Sequence, residues 1–282
     1  CNNRYSLIST NSVRTLNKAV ENVVFVMPSE IEDLMEAEKE SSINDSVVAN
    51  SKSFETFVVG KNSQFAHAAA SAVAESPAQS FNPLLIYGQS GVGKTHLMQA
   101  IAQRVAKIHP EFKVLYVTSE EFTSDFIEAV RYNRDSNYQK KENFKNKYRH
   151  VDILLIDDIQ FIAGKKETQE EFFNTFNVLA NSNKQIVLTS DKDPHYIETL
   201  EKRIVSRLDS GLICDIQPPD YETRLAILQE KSVEMMLDID NDSLSFIAEM
   251  YTSGDVRQLE GILKKISITA QLSNRNIDLA FT

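Results

Sequence analysis

The chain has 282 residues, of which 42% are hydrophobic and 25% charged, and its formal net charge is −10 with a pI of about 5.1. This composition supports a buried core in one large domain or two modest ones. The acidic balance excludes a dominant basic surface, so any contact with nucleic acid has to be local. Two cysteines, Cys1 and Cys214, are too few for a disulfide framework and suit a reducing compartment such as the cytoplasm.

The first fifty residues are weakly patterned. Residues 30–41 carry six acidic side chains with little apolar periodicity, and residues 1–50 are predicted to be a partly disordered acidic linker or the remnant of an N-terminal domain. A first residue of cysteine instead of methionine predicts that the chain is a fragment. No apolar run approaches the ~20 residues of a transmembrane helix, whereas contact with acidic lipids stays open.

From about residue 54, apolar runs typical of strands alternate with helix-period segments. This alternation predicts an α/β fold with a parallel sheet and right-handed crossovers. The predicted strands are 84–87, 113–118, 151–156, 185–190 and 211–216, and the predicted helices between them are 95–108, 120–130, 140–148, 168–181 and 195–208. After two prolines only helical segments follow, at 220–236, 241–251 and 255–271. We therefore expect a nucleotide-binding part at 51–216 and a helical lid at 217–282.

Residues 88–95 (GQSGVGKT) carry the most specific motif, because they match the G-x-x-x-x-G-K-[ST] loop that cradles phosphates. A chance glycine-rich turn is the alternative, but a strand enters the stretch and a helix leaves it, as phosphate binding requires. Lys94 is expected to reach the β- and γ-phosphates, and the Thr95 hydroxyl to bind Mg²⁺. The predicted nucleotide-binding residues here are Gly88, Ser90, Gly91, Val92, Gly93, Lys94, Thr95 and His96.

Acidic residues follow two of the predicted strands. Asp157 and Asp158 end the run ILLIDD, where phosphoryl-transfer enzymes place a metal ligand and a water-positioning acid. We assign Asp157 to Mg²⁺ and Asp158 to the attacking water. Asp191 follows the strand 185–190 and either senses the γ-phosphate or caps a helix.

Three arginines are candidates for reading the nucleotide. Arg203 and Arg207 lie four residues apart and therefore on one helical face. Either they offer an arginine to a neighbouring subunit's γ-phosphate, or they form a basic face paired with Glu201 or Asp209. Arg257 lies off the apolar stripe of the last helix and either reaches the nucleotide or stays at the surface.

Residues 131–149 contain seven basic and two acidic residues, interleaved with Tyr132, Tyr138, Phe144 and Tyr148. Basic and aromatic side chains together suit single-stranded nucleic acid. A solvated helix with a loop explains the same composition, and both interpretations stay open.

The chain resembles the AAA+ ATPase domain of the DnaA family of bacterial chromosomal replication initiators, over about three quarters of its length. The matching stretches are 57–62 (FVVGKN), 82–88 (NPLLIYG), 93–98 (GKTHLM), 154–161 (LLIDDIQF), 168–173 (TQEEFF), 206–208 (SRL), 211–212 (GL), 218–219 (PP) and 254–261 (GDVRQLEG). This resemblance implies an AAA+ P-loop fold, with a five-stranded parallel sheet sandwiched by helices and a small all-α lid.

The resemblance also implies residue roles. Arg207 becomes the arginine finger that reads ATP on the adjacent subunit, Arg257 the lid sensor and Asp191 the strand sensor. Val59 and Gly60 are expected to line the adenine pocket through their backbone.

Further implied roles concern assembly and DNA. Arg203 is expected to support ATP-dependent assembly, and residues near Ile127 and Lys165 to line the side of a filament that holds single-stranded origin DNA. The implied partners are other copies of the chain in a head-to-tail oligomer, single-stranded DNA and a replicative helicase.

Three departures from the family pattern are visible. Leu208 and Ser210 stand where the family has aromatic residues, which puts the aim of Arg207 in question. The stretch between residues 130 and 148 is about six residues longer than usual, and Glu167 stands where some relatives have a basic residue. The chain ends at Thr282 without the family's C-terminal domain that reads duplex origin boxes.

The sequence therefore predicts a slow, Mg²⁺-dependent ATPase in the cytoplasm that uses ATP and ADP as a switch in replication initiation. ATP-bound subunits are expected to assemble on the origin and help to unwind it by holding single-stranded DNA, and hydrolysis resets the switch. Two alternatives stay open: a regulatory AAA+ paralogue without its own duplex-reading domain, and a loader of the replicative helicase.

Overall fold

The computed structural model describes residues 52–130, 137–273, 275, 277–279 and 281–282. They lie in one unit of contacts, residues 47–282. The predicted linker, residues 1–50, lies outside the described residues, as does the stretch 131–136. Among the described residues, no helix is long and apolar enough to cross a membrane.

Nine α-helices and five strands are present among the described residues. In chain order they are α1 (Gln64–Glu75), β1 (Leu84–Tyr87), α2 (Lys94–Ile108), β2 (Val114–Thr118), α3 (Ser119–Val130), α4 (Asn137–Arg149), β3 (Ile153–Asp157), α5 (Lys166–Asn181), β4 (Gln185–Ser190), α6 (Lys202–Leu208), β5 (Leu212–Asp215), α7 (Tyr221–Glu234), α8 (Asn241–Met250) and α9 (Val256–Ser273). Two short 3₁₀ turns, Ile159–Ile162 and Pro194–Tyr196, follow β3 and β4.

The five strands form one parallel sheet in the order β2-β3-β4-β1-β5, which confirms the predicted α/β fold. Strand β1 pairs with β4 on one side and β5 on the other, with Leu84 opposite both Val187 and Leu212. All residues of β3 and β4 are buried, as expected for a parallel sheet covered on both faces.

Successive strand residues feed two separate cores, because side chains alternate between the faces of a sheet. On one face Leu84 and Ile86 of β1 pack with α1 and α2. On the other face Leu85 packs with residues of α3, α4, α5 and α6. The sheet is therefore sandwiched between two helical layers, as the sequence predicts.

Helices α7, α8 and α9 form a third core of their own, centred on Leu228, Ile247 and Leu263. A buried arginine joins this lid to the chain segment that leads into it. Arg224 donates from Nε to the Ala248 carbonyl and from Nη1 to the Pro219 carbonyl, both at 2.9 Å. Two of the five N–H groups of this buried guanidinium are therefore paired with backbone carbonyls, which offset part of the cost of burying its charge.

Two secondary-structure predictions were incomplete. The predicted helix 195–208 is broken: a 3₁₀ turn at Pro194–Tyr196 precedes α6, which has only seven residues. Asp193 stops a continuous helix because its side chain accepts the backbone N–H of His195 and starts the turn. Helix α1 was missed, because its many alanines give little contrast between a buried and an exposed face.

In the described part of the basic stretch 131–149, the structure does not support the nucleic-acid interpretation. Phe144 and Tyr148 of α4 are 7% and 0% exposed and belong to the sheet core, so neither is a stacking platform for bases. Several basic side chains are already paired. Lys140 pairs with Glu128, Lys145 with Glu142, Lys147 with Glu121 and Asp125, and Arg149 with Glu171. These residues favour a structural helix over a DNA-binding one; Tyr132 and the side chain of Tyr138 lie outside the description.

Candidate functional site

The predicted site residues lie mainly at the carboxyl edge of the sheet, where ligands of parallel α/β sheets bind. Strand β1 ends at Tyr87, and the loop 88–93 turns directly into α2. Gly91 and Gly93 have φ angles of 78° and 107°, in the left-handed region that favours glycine. A Cβ atom on Gly93 would approach a ring carbon of Phe57 to 2.9 Å. The glycines therefore allow both the turn and close packing around it.

Helix α2 follows this loop directly, and no side chain caps its N-terminus. Its N-cap is Gly93, which has no side chain to accept the first-turn N–H groups. Unpaired N–H groups at a helix start carry a partial positive charge and bind anions such as phosphate. The backbone of Lys94, Thr95 and His96 supplies these donors.

The Lys94 ammonium lies inside the loop. Lys94 is 7% exposed, and its Nζ donates to the carbonyl oxygens of Gly88 at 2.7 Å and Gln89 at 2.9 Å. Burial lowers the pKa of Lys94, against the opposing charges of Asp158, Asp157 and Asp191; the charge of Arg257 lowers it further. Three predicted carboxylates and the lid arginine therefore act on one ammonium group, which brings five predicted site residues together.

Asp157 is the centre of a hydrogen-bond network at the end of β3. Thr95 Oγ1 donates to Asp157 Oδ2 at 2.8 Å, and the Tyr116 hydroxyl donates to the same oxygen at 2.9 Å. Thr189 donates to the other oxygen, Oδ1. Burial and the charge of Asp157 raise the pKa of Tyr116, so its phenol stays protonated as a donor. The two predicted Mg²⁺ ligands, Thr95 and Asp157, are thus already side by side.

Asp158 has a strained backbone, with φ 59° and ψ 57° in the left-handed region. Such a conformation costs roughly 1–3 kcal/mol for a residue other than glycine and persists only when neighbours hold it. Its N–H donates to Thr189 Oγ1 at 2.8 Å, and its carbonyl accepts from Ser119 Oγ at 2.6 Å. The Asp158 carboxylate accepts a bond from Gln160 Nε2 at 3.1 Å.

Asp191 follows β4 and is exposed. Its N–H donates to Gln160 Oε1 at 3.2 Å. It does not cap the following turn, because Asp193 holds that position and accepts the N–H of His195. The capping alternative for Asp191 is therefore wrong, while the sensor role stays a prediction.

The lid contacts the phosphate loop directly. Val256 N donates to the Gly91 carbonyl at 3.0 Å, and Arg257 Nη1 donates to Ser90 Oγ at 3.3 Å. A Cβ atom on Gly91 would meet Asp255 Oδ1 at 1.8 Å, so a side chain there would require Asp255 to move, and the φ angle of 78° also favours glycine. Arg257 thus faces the phosphate loop and is not a surface arginine remote from the site.

A pocket lies between the lid and the segment that precedes α1. Phe57, Val58, Val92 and His96 line it from the α/β part. Thr223 and Ile227 are among the residues that line it from the lid.

The predicted adenine-contact residues directly follow Val58. Val59 is 46% exposed, and a Cβ atom on Gly60 would meet Thr223 Oγ1 of the lid at 2.3 Å. The His96 ring donates from Nε2 to the Ser53 carbonyl, 2.9 Å away, and holds this segment against α2.

Arg203 and Arg207 share a helix but not an environment. Arg203 donates to Glu201 and lies over the Phe173 ring, 4.7 Å from its centroid. Arg207 is exposed, and its guanidinium has no hydrogen bond or ion pair among the described residues. The pairing with Glu201 that the basic-face alternative predicts is present for Arg203. Arg207 lacks such a pair among the described residues, and its role stays a prediction.

Leu208 is fully buried in the sheet core, and it anchors α6 although it replaces the family's aromatic residue. Ser210 donates from Oγ to the Arg207 carbonyl at 2.6 Å and closes the C-terminal end of the helix. Both departures from the family pattern therefore leave Arg207 on a fixed helix end with its guanidinium in solvent.

The residues expected to face DNA lie on other elements. Ile127 of α3 is 42% exposed, Lys165 is the exposed N-cap residue of α5, and Glu167 lies exposed in the first turn of that helix. Their accessibility suits a binding surface, and their role stays a prediction.

The residues at this site fit a nucleoside triphosphate with Mg²⁺. The open helix N-terminus and Lys94 offer donors to phosphate oxygens, while Thr95 and Asp157 offer the hydroxyl and carboxylate oxygens that Mg²⁺ prefers. Sequence reasoning missed Tyr116, Thr189 and Gln160. Of these, only Gln160 carried a signal, as a polar residue two positions after Asp158.

The family profile of the bacterial DnaA ATPase domain matches residues 48–215. The chromosomal replication initiator protein DnaA of Caldanaerobacter subterraneus subsp. tengcongensis is 50% identical over 254 residues, which are 90% of this chain and 56% of that protein. The chain therefore spans little more than half the length of this curated relative.

Two solved structures are similar in fold and sequence. Domain III of the Thermotoga maritima replication initiation protein DnaA matches with a TM-score of 0.76 and 39% identity, over 82% of this chain and 93% of that one. A replication initiator DnaA bound to AMPPCP and single-stranded DNA matches with a TM-score of 0.70 and 33% identity, over 78% of this chain and 66% of that one.

Proposed function

The chain belongs to the bacterial DnaA ATPase domain family, and on that premise we propose that it is the ATP-driven core of a replication initiator. The observation that carries this proposal is the geometry at the phosphate loop, where Lys94 Nζ lies on the Gly88 and Gln89 carbonyls and Thr95 Oγ1 donates to Asp157 Oδ2 at 2.8 Å. Further charged groups act on the Lys94 ammonium. Asp157, Asp158 and Asp191 come from the ends of two neighbouring strands, and Arg257 comes from the lid. ATP is the substrate that such a phosphate site would take.

In this proposal the α/β part, residues 51–216, and the lid, residues 217–282, bind ATP between them. The N–H groups at the start of α2 and the Lys94 ammonium hold the phosphates, which requires Lys94 to exchange its loop carbonyls for phosphate oxygens. Arg257, which donates to Ser90 Oγ in this structure, is close enough to the loop to bind the phosphates together with Lys94. Val59 and Gly60 contact the base through their backbone.

Hydrolysis is slow and resets the switch. Mg²⁺, held by Thr95 and Asp157, would neutralise phosphate charge when bound. Asp158 orients the attacking water, and Asp191 senses the γ-phosphate. The strained backbone of Asp158 supports this assignment, because strain of this kind is concentrated at functional positions.

ATP also drives head-to-tail assembly. Arg207 is a guanidinium on a rigid helix end with no partner among the described residues, which suits a contact made with another subunit. We assign it to the γ-phosphate of that subunit, and Arg203 to the support of the same interface. Because this interface is heterologous, repeated addition of subunits grows an open filament.

The filament holds single-stranded origin DNA in the cytoplasm, with residues near Ile127 and Lys165 on its DNA-facing side. The DnaA neighbour bound to AMPPCP and single-stranded DNA supports this part of the proposal. A replicative helicase is the further partner that this role requires.

The proposal is tested with ATP binding, phosphate release and binding of fluorescent oligo-dT, each measured with ATP, ADP and AMPPCP. We expect tight binding of ATP and ADP, slow phosphate release that needs Mg²⁺, and oligo-dT binding that ADP does not support. Failure to bind ATP, or equal DNA binding with ATP and ADP, would contradict the proposal. Lys107→Ala, an exposed substitution at the far end of α2, serves as the control.

A further inference from the structure

We propose that Gln160 is a positioning residue that couples the water-orienting Asp158 to the sensor segment at Asp191. The inference rests on the proposed ATP hydrolysis and deepens it. A single side-chain amide bridges the ends of β3 and β4, and it uses both of its polar atoms for the bridge. Among the described residues, the side-chain hydrogen bonds of Gln160 go to Asp158 and Asp191 and not to Lys94 or the phosphate loop, so it acts through the two residues that it joins.

The first half of the bridge fixes the Asp158 carboxylate. The backbone of Asp158 is held on both sides, by Thr189 at the N–H and by Ser119 at the carbonyl. These bonds fix the main chain but leave the carboxylate free to rotate. Among the described residues, the hydrogen bond that holds this carboxylate comes from Gln160 Nε2 to Asp158 Oδ1, at 3.1 Å.

The second half of the bridge reaches the neighbouring strand. The N–H of Asp191 donates to Gln160 Oε1 at 3.2 Å, at the point where the chain leaves β4. Asp191 and Asp158 both act on the charge of Lys94, so they face the same site from two strand ends. A shift of the chain at Asp191 therefore moves Gln160 and, through it, the Asp158 carboxylate.

Glutamine suits this position because its amide is a donor and an acceptor at once. A glutamate at 160 would keep the acceptor for the Asp191 N–H but, when ionised, would have no proton to donate to Asp158. A methionine of similar length would lose both bonds. The two substitutions therefore separate the two halves of the bridge.

The experiment compares Gln160→Met and Gln160→Glu with Gln229→Met, a control on the exposed surface of the lid. Two quantities are measured: ATP binding with single-turnover hydrolysis, and hydrogen exchange of the Asp191 amide by NMR in the nucleotide-free chain. We expect Gln160→Met to slow hydrolysis about tenfold, because residues that orient a functional group typically act at this scale. Its ATP dissociation constant should stay within about twofold of the parent's, since the lost contact orients a reacting group and does not bind substrate.

The Asp191 amide should exchange faster in Gln160→Met and at the parent rate in Gln160→Glu, while both variants hydrolyse ATP slowly. Parent hydrolysis rates in Gln160→Met, loss of ATP binding in that folded variant, or unchanged Asp191 exchange would each overturn the proposal. The exchange measurement needs no nucleotide. If the parent chain fails to hydrolyse ATP, the proposed function fails, and the exchange result still decides whether Gln160 forms the bridge.

Discussion

Replacing Lys94 with methionine perturbs the one group on which the charges of the candidate site converge. Its ammonium makes two short bonds to loop carbonyls, at 2.7 and 2.9 Å, and ATP binding would redirect them to phosphate oxygens. Hydrogen bonds to charged groups contribute about 1.5–3 kcal/mol each. Loss of two therefore weakens ATP binding by roughly 3 kcal/mol or more, which is about a hundredfold in the dissociation constant.

The same substitution should cost little folding stability. Burial lowers the pKa of Lys94 in the folded chain, so the folded state disfavours its charged form. This loss of folding stability is present in full below the lowered pKa of Lys94 in the folded chain. It disappears as the pH rises towards the pKa of lysine in the unfolded chain. Methionine removes this loss at every pH. The stability of Lys94→Met relative to the parent should therefore fall as the pH is raised from 7 to 10.

The assays are calorimetric titration with ATP and urea unfolding at several pH values, with Lys107→Met as the exposed control on the same helix. Lys107→Met should match the parent in both. An ATP affinity within threefold of the parent's for Lys94→Met would refute the phosphate-site assignment. A relative stability that rises with pH would refute the argument from burial.

Three further predictions concern the phosphate loop, the hydrogen bonds to Asp157 and the packing of α4. Gly91→Ala should weaken ATP binding and loosen the contact between the lid and the loop, because its Cβ atom would displace the Asp255 side chain and its φ of 78° disfavours alanine; increased proteolysis near Val256 would report the loosening, and unchanged proteolysis would count against it. Tyr116→Phe removes a donor to Asp157 and should raise the Mg²⁺ concentration for half-maximal ATP hydrolysis about tenfold, with no rise if the phenol plays no part. Phe144→Ala should lower the free energy of unfolding by about 3–5 kcal/mol in urea, and stability equal to the parent's would show that α4 is not part of the core.

The sequence predicts the strand, the glycine turn and the helix start at residues 84–95 because these are local features of contiguous residues. The positions of Lys94 and Thr95 at the helix start follow from them without knowledge of the fold, while their contacts with phosphate stay predictions. The two predicted Mg²⁺ ligands required only one further strand end, and Thr95 Oγ1 lies 2.8 Å from Asp157 Oδ2. Their binding of Mg²⁺ stays a prediction.

The sequence pattern does not predict contacts between side chains that are distant along the chain. The pattern of two arginines four residues apart could not show that Arg203 stacks on Phe173 while Arg207 stays unpaired, because Phe173 lies on another helix. In α4 the aromatics next to lysines resembled a nucleic-acid surface. Their burial depends on the sheet face against which the helix packs, and the local sequence does not contain that information.

Sedimentation velocity with ATP and with ADP tests the central claim most directly, using the parent chain, Arg207→Ala and the control Arg104→Ala. We predict large assemblies with ATP for the parent and the control, and single chains with ADP. Arg207→Ala should bind ATP normally yet stay a single chain, because its binding site is intact and only the contact with the next subunit is lost. Assembly of Arg207→Ala with ATP to the parent's extent, or a parent that binds ATP and remains a single chain, would contradict the account.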